Sequence, residues 1–321
     1  MERPLSVIDH LKSPLLLSWQ LTRECDLSCL HCCTESAPGK RLPGELSRQE
    51  ALALTDEIIA GEVPYVMLCG GEPLVVAHFW ELAERLGRAG VQLKIETNGQ
   101  RLNESAAERM SRLPIRSVQI SLDGATEDVY GQQRPGGSLA KAHAACRAAV
   151  SCGVPLEVTF APTRINLHEA EKVIEQARSL GAFRFNTGRL MRIGTAARLW
   201  DKLELTEAQY QQFHQLLQRK SKDLIGDRFE LCFEPFSVQD GLRRSLADPP
   251  ATLLVLPNGL VKLMGVLPYV CGDLRRDELS TIWENYCRFW NGDTMKALAS
   301  DAIMDASLHA RANDWQTLLT T

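Results

Sequence analysis

Leu21-Thr-Arg-Glu-Cys25-Asp-Leu-Ser-Cys29-Leu-His31-Cys32-Cys33 is the stretch on which the reading of this chain turns. Three of its cysteines stand with three and then two residues between them, close enough for one loop to aim three sulfurs at a common centre. Thiolates are soft ligands suited to iron–sulfur clusters and to zinc. Four would close the site, whereas Cys25, Cys29 and Cys32 leave one position open. The spacing favours a cluster with one iron free for a further ligand over a zinc knuckle or a group of reduced cysteines. Cys33 is expected to point away from it. The apolar run Pro14-Leu-Leu-Leu-Ser-Trp-Gln-Leu21 leads into the loop as a buried strand would.

Beyond the loop the chain alternates short apolar runs with helical patterns. Ser47, three residues ahead of Glu50, caps an amphipathic helix that continues through Ala60. Strands are expected over Val63–Cys69, Val91–Thr97, Ile115–Leu122, Val154–Phe160 and Phe183–Asn186, with helices over Phe79–Gly87, Glu104–Leu113, Leu139–Ser151 and Leu167–Leu180. Six strands with five intervening helices argue for an α/β fold whose parallel sheet is built from right-handed crossovers. In parallel α/β folds the reactive centre lies at the carboxyl ends of the strands.

Those ends carry the chemistry-bearing residues. Gly70-Gly71-Glu72-Pro73 follows the second strand; its glycines would let backbone approach a ligand, and its acid would accept hydrogen bonds from an ammonium group. Asn98-Gly99 and Asp123-Gly124 end the third and fourth strands, where turn geometry alone would also explain them. Arg134, in a loop before the next helix, could hold a carboxylate. Thr163 and Asn166 could cap a helix, and capping is favoured for Asn166. Arg189, Arg192 and Arg198 sit among small residues after the sixth strand, as a ligand-facing loop or as a solvated basic turn.

Taken together, the cysteine spacing and Gly70-Gly71-Glu72-Pro73 resemble the radical S-adenosylmethionine (radical SAM) superfamily. The resemblance implies a partial (β/α)6 TIM-like barrel and one 4Fe–4S cluster on Cys25, Cys29 and Cys32, whose free iron binds SAM. One electron then cleaves SAM to methionine and a 5′-deoxyadenosyl radical that abstracts a hydrogen from substrate. It also implies that the Gly-Gly-Glu-Pro segment holds the methionyl amino group and that Ser121 lies near the SAM ribose. Asn98 and Asp123 would line the same mouth, Arg134 and Arg192 would face SAM or substrate, and Thr163 would reach the adenosine.

The alternation stops near Trp200, which divides the chain into a barrel over 1–200 and a carboxyl-terminal cap over 201–321. A polar helix to about Asp223, a strand at Phe229–Phe233, a hairpin around Asn258-Gly259 and an Ile282-Trp283 helix resemble the small α+β extension of the SPASM and Twitch subfamilies, known from maturases of haem d1, mycofactocin and pyrroloquinoline quinone. Those extensions hold auxiliary clusters on many cysteines. Here only Cys232, Cys271 and Cys287 remain, so the auxiliary site is expected to be degenerate, three converging thiols being the alternative. Cys271 is a candidate thiol or hydrogen-atom donor near the substrate, against a structural cysteine. The tail from Thr294 to Leu319 reads as amphipathic, covering the barrel or a partner.

Composition bounds the rest. With 36 basic and 40 acidic residues the net charge of −4 gives no footprint for nucleic acid or an anionic membrane. No apolar run approaches the roughly 20 residues that span a bilayer, no signal-peptide core follows Met1, and a cytosolic location is expected. Ten cysteines in such a compartment read as metal ligands or small buried hydrophobes. The function expected is modification of a peptide or a cofactor precursor such as a tetrapyrrole, with radical epimerisation, dehydrogenation or decarboxylation of a small molecule as alternative. A non-catalytic partner subunit is the second alternative. Electrons would come from a flavodoxin- or ferredoxin-type protein. With few residues ahead of the first strand, a peptide would need a separate leader-binding protein or the carboxyl-terminal segment.

Overall fold

The computed structural model describes residues 6–233, 237–305 and 307–318. Six parallel strands lie side by side in chain order: β1 (Leu16–Gln20), β2 (Tyr65–Cys69), β3 (Gln92–Thr97), β4 (Ile115–Ser121), β5 (Leu156–Phe160) and β6 (Arg184–Thr187). Between them run α1 (Arg48–Ala60), α2 (Phe79–Arg88), α3 (Glu104–Ser111), α4 (Glu127–Gln133), α5 (Leu139–Ser151) and α6 (Ala170–Ser179). The expected capping box opens α1, with the Ser47 side chain accepting from Glu50 N and the Glu50 carboxylate from Ser47 N. The short α4 was not expected; Thr126 caps it, accepting from Val129 N, and seven residues are too few to show a helical period.

Strand alternation sets the two faces of the sheet. Leu93, Ile95, Val118, Ile120, Leu156 and Val158 are fully buried with Leu86, Met110, Ala145 and Val173 of the helices. Burying each large aliphatic side chain stabilises the fold by about 1.5–3 kcal/mol. The intervening positions, Lys94, Glu96, Gln119, Ser121, Glu157 and Thr159, are polar and face the other way.

After β6 come two short turns, α7 (Thr195–Arg198) and α8 (Trp200–Leu203), and the expected polar helix α9 (Glu207–Asp223). The remaining strands extend the sheet at both edges. β7 (Glu230–Phe233) pairs parallel with β6, and β8 (Thr252–Val255) pairs parallel with β1. The hairpin partner β9 (Leu260–Lys262) follows the expected turn at Asn258-Gly259, Gly259 adopting φ +84°. β10 (Tyr269–Asp273) pairs antiparallel with β9, and the two-residue β11 (Gln316–Thr317) closes that edge. Helices α10 (Val238–Ala247), α11 (Leu279–Asn291), α12 (Asp293–Met304) and α13 (Ser307–Ala310) complete the fold. Trp283 Nε1 donates to Leu11 O at 3.0 Å, fastening α11 to the start of the chain. In the tail, Met295 and Ala299 are fully buried, and Asn313 Nδ2 donates to Cys33 O at 2.9 Å, so this segment reaches the cysteine loop. Leu319 lies outside the described residues. Among them, no helix is long and apolar enough to cross a membrane.

Candidate active site at the strand carboxyl ends

The cysteine loop leaves β1 and is fixed on two sides. Leu21 N donates to Cys69 O at 2.9 Å, and Ser28 N and Leu30 N donate to Pro135 O and Gln133 O at 3.0 and 3.1 Å. Leu27, 2% exposed, anchors the loop apolarly between them. Cys25, Cys29 and Cys32 all open on one cavity of about 200 Å³. Each sulfur accepts a donor from the protein: Cys25 from Leu27 N at 3.4 Å and Asn98 Nδ2 at 3.7 Å, Cys29 from Arg134 Nη1 at 3.4 Å, Cys32 from Ser36 N at 3.3 Å. Burial pushes the Cys25 thiol up to about 12 and the Cys29 thiol up to about 11. Without a metal both stay protonated at neutral pH; a bound metal centre would deprotonate them.

Gly70, Gly71, Asn98, Ser121 and Arg134 line the same cavity. The glycines serve the loop rather than a ligand alone. A Cβ on Gly71 would stand 2.1 Å from Glu24 O, and one on Gly70 2.7 Å from Thr22 O. Gly71 N and Glu72 N donate to those two carbonyls, Thr22 O and Glu24 O, at 2.7 and 3.0 Å. A third close approach comes from Gly194, φ +60°, where a Cβ would meet Cys33 O at 2.5 Å while Thr195 N donates to Cys32 O.

Sequence reasoning missed the far wall, formed by Glu96, Gln119 and Thr159 with Cys69. Gln119 Nε2 donates to Glu96 Oε1 at 3.1 Å; Lys94 Nζ donates to Gln119 Oε1 and to Glu157 Oε2, both at 3.0 Å; Asn186 Nδ2 donates to Glu157 Oε2 at 2.6 Å. Burial raises the Glu96 carboxyl above its ordinary value, whereas Glu157, despite burial, is held below it by Ser117, Lys94 and Asn186. The signal was present in β3–β5, where every second residue is polar although the strands are buried. Cys33 also lines the cavity instead of turning away.

A family model described as the Radical SAM superfamily matches residues 19–177. Residues 19–177 are a radical SAM domain. The chain is 36% identical over 230 residues to mycofactocin maturase MftC of Mycobacterium ulcerans (strain Agy99), an alignment covering 71% of this chain and 62% of that one. It is 25% identical over 302 residues to the AdoMet-dependent heme synthase of Methanosarcina barkeri (strain Fusaro / DSM 804), covering 87% and 84%. The chain thus spans 62% or less of the mycofactocin maturases it matches. Among solved structures, SuiB of Streptococcus suis bound to S-adenosylmethionine superposes with TM-score 0.70 at 15% identity, over 88% of this chain and 68% of that one. Native anSMEcpe with bound AdoMet gives 0.66 at 17%, over 86% and 82%. These two likenesses show the fold.

The radical SAM family implies a 4Fe–4S cluster and SAM, and the residues fit the cluster. Three thiols meet at one cavity, each with a donor on its sulfur, and the side facing Gly70, Gly71 and Ser121 carries no cysteine ligand of the motif. Among the described residues no three His, Cys, Asp or Glu side chains close on a single ion.

Other expected residues of the radical SAM site lie off the cavity. Glu72 is fully buried behind the glycines, its carboxylate accepting from Leu74 N at 3.0 Å, Thr97 Oγ1 at 2.8 Å and Asn98 N at 2.9 Å, so it braces β3 rather than facing an ammonium group; Pro73 starts a 3-10 turn beside it. Asp123 is buried beneath Arg134, whose Nε donates to Asp123 Oδ2 at 2.5 Å. Burial would raise the Asp123 carboxyl, but the Arg134 guanidinium and His31 hold it well below the usual carboxylate range. The Arg134 guanidinium is therefore already committed and is not a free carboxylate clamp. Thr163 is buried, its hydroxyl bonding Gln133 and Asn166. Asn166 makes no cap; its Nδ2 donates to Asp123 O and Ala161 O, each at 3.0 Å. Arg192 is exposed over the Trp200 ring, 5.7 Å from its centroid. Arg189 pairs with Glu207 and Arg198 with Glu35, so this loop spends its charges on the protein. Cys271 is buried in β10 with Sγ donating to Val261 O at 3.4 Å, and burial pushes its thiol up to about 12: a structural cysteine. Cys287 sits on α11 with its Sγ donating to Ile8 O, and Cys232 is exposed on β7 at the opposite edge of the sheet.

Proposed function

We propose that this chain is a radical SAM enzyme that modifies a peptide in a maturation pathway. The observation that carries it is the meeting of Cys25, Cys29 and Cys32 with Gly70, Gly71, Asn98 and Ser121 on one cavity at the carboxyl ends of β1–β4. When bound, the cluster and SAM supply reductive cleavage to methionine and a 5′-deoxyadenosyl radical, which takes a hydrogen atom from substrate. The chain's own part is positioning. Cys25, Cys29 and Cys32 hold the cluster, the Gly70–Gly71 strap and Asn98 fix the loop that carries them, and Ser121 faces the nucleoside side. The polar wall of Glu96, Gln119 and Thr159 orients the group that gives up its hydrogen.

A peptide substrate is supported by the names of relatives: besides the mycofactocin maturases, the chain is 28% identical over 234 residues to the sporulation killing factor maturation protein SkfB of Bacillus subtilis (strain 168). A haem precursor is the second reading, favoured by the match to the heme synthase over 87% of this chain and 84% of that one. Residues 1–200 would act as the catalytic barrel and 201–321 as a cap sharing its sheet, with one cluster, because Cys271 and Cys287 each bond a backbone carbonyl instead of opening on a shared cavity. A flavodoxin- or ferredoxin-type protein would deliver the electron, and a separate leader-binding protein would present the peptide, in a reducing cytosol.

The test is anaerobic reconstitution with iron and sulfide, followed by reduction with SAM. Formation of 5′-deoxyadenosine is expected from the wild type and at least about 100-fold less from Cys29→Ala, since removing one of three ligands opens the cluster. Persistence of cleavage in that variant would refute the assignment.

A further inference from the structure

Arg134 leaves the end of α4 and turns its guanidinium toward the cysteine loop. Nη1 donates to Cys29 Sγ at 3.4 Å, Nε donates to Asp123 Oδ2 at 2.5 Å, and Nη2 stands 3.4 Å from His31 Nε2. The side chain is 8% exposed and that of Asp123 1%. Asp123 is itself immobilised: Oδ1 accepts from Ala161 N at 2.7 Å, and Asn166 Nδ2 donates to its carbonyl at 3.0 Å. His31 lies 3.2 Å from Asp123 Oδ2 and 2.7 Å from Gln133 Nε2. The guanidinium is thus held through Nε by Asp123 and flanked at Nη2 by His31, with Nη1 turned to the sulfur. Neither other thiol of the motif has such a partner. Cys25 accepts from an amide N–H and an Asn side chain, Cys32 from the Ser36 amide with the Thr34 hydroxyl at 3.3 Å.

A cationic donor on one ligating sulfur draws electron density from the iron–thiolate bond and favours the reduced cluster, which carries one more negative charge. Burial keeps water from screening it. We infer that Arg134, anchored by Asp123, sets the reduction potential of the cluster through Cys29, and is not a clamp for a carboxylate. The inference rests on the reading that Cys25, Cys29 and Cys32 hold a 4Fe–4S cluster. It gives opposite signs for two changes to one ion pair. Arg134→Gln removes the cation and lowers the potential; Asp123→Asn leaves the cation uncompensated and raises it. A purely structural role for the pair would move both variants the same way or neither.

The experiment is an EPR-monitored redox titration of the reconstituted full chain, without SAM, for the wild type, Arg134→Gln, Arg134→Lys and Asp123→Asn. SAM affinity is measured in parallel from the change in the EPR signal. Expected are a midpoint more negative than wild type in Arg134→Gln, one more positive in Asp123→Asn, an intermediate value in Arg134→Lys, and SAM affinity within about threefold of wild type. An unmoved midpoint in Arg134→Gln, or a loss of SAM affinity of about tenfold or more at unmoved midpoint, overturns the inference in favour of a clamp. If Arg134→Gln takes up no cluster, Asp123→Asn decides, and a midpoint at or below wild type sinks the idea. A wild type with no reducible cluster removes the proposed function as well; a normal wild-type cluster that no variant shifts removes this inference alone.

Discussion

Glu72 takes a carboxyl out of water behind the cavity and surrounds it with three donors, yet burial outweighs them and pushes it up to about 7 from an ordinary 4.5. A carboxyl raised in the folded state stabilises the fold fully below its unfolded value, and that contribution is lost as pH rises through the folded one. The cluster-free protein should therefore lose on the order of 3 kcal/mol between pH 4.5 and 8 from this group. In Glu72→Gln the corresponding loss should be missing. Urea denaturation at pH 5 and pH 8 checks it; equal pH dependence in wild type and variant would contradict the burial argument. At this scale the sequence identified the cavity residues Asn98 and Ser121 but misjudged Glu72, Thr163 and Arg192, because a polar side chain near a strand end has as many backbone partners within reach as ligand-facing directions.

The Gly70–Gly71 strap is an element whose residue choice follows from backbone contact. Gly71→Ala would drive a Cβ to 2.1 Å from Glu24 O, a collision with main chain that cannot be relieved by a rotamer change. A loss of about 3 kcal/mol and failure to retain iron are expected. Gly131→Ala in α4, with nothing within 4 Å of its Cβ position, is the control and should be neutral or stabilising by up to about 1 kcal/mol. Denaturation midpoints and iron content read both. The strands tell the same story at their lumen face: β3 to β5 were legible from their apolar positions, while the hydrogen-bonded wall of Glu96, Gln119 and Glu157 was not, because it needs the register that sets Glu96 beside Gln119 and Gln119 beside Glu157.

Across the whole molecule one sheet carries both halves of the chain, with β7 and β8 adding to opposite edges of the six-stranded set. Cys232 lies on β7 and Cys271 on β10, toward opposite ends of the strand order, and Cys271 and Cys287 each spend their sulfur on a backbone carbonyl, Val261 O and Ile8 O. Reconstituted protein should hold about four irons per chain, and about eight would show that the carboxyl-terminal part gathers a second cluster.

What the sequence by itself determined was local: the thiol spacing of Cys25, Cys29 and Cys32, the alternation of strands and helices, and the glycine pair one strand later. Each depends on residues a few positions apart. Only the tertiary structure decided that Arg134 meets Cys29, that Glu72 turns inward and that Thr252–Val255 pairs with β1. Those contacts join residues tens to hundreds of positions apart, and which of several equally polar partners wins is fixed by the packing that brings them together.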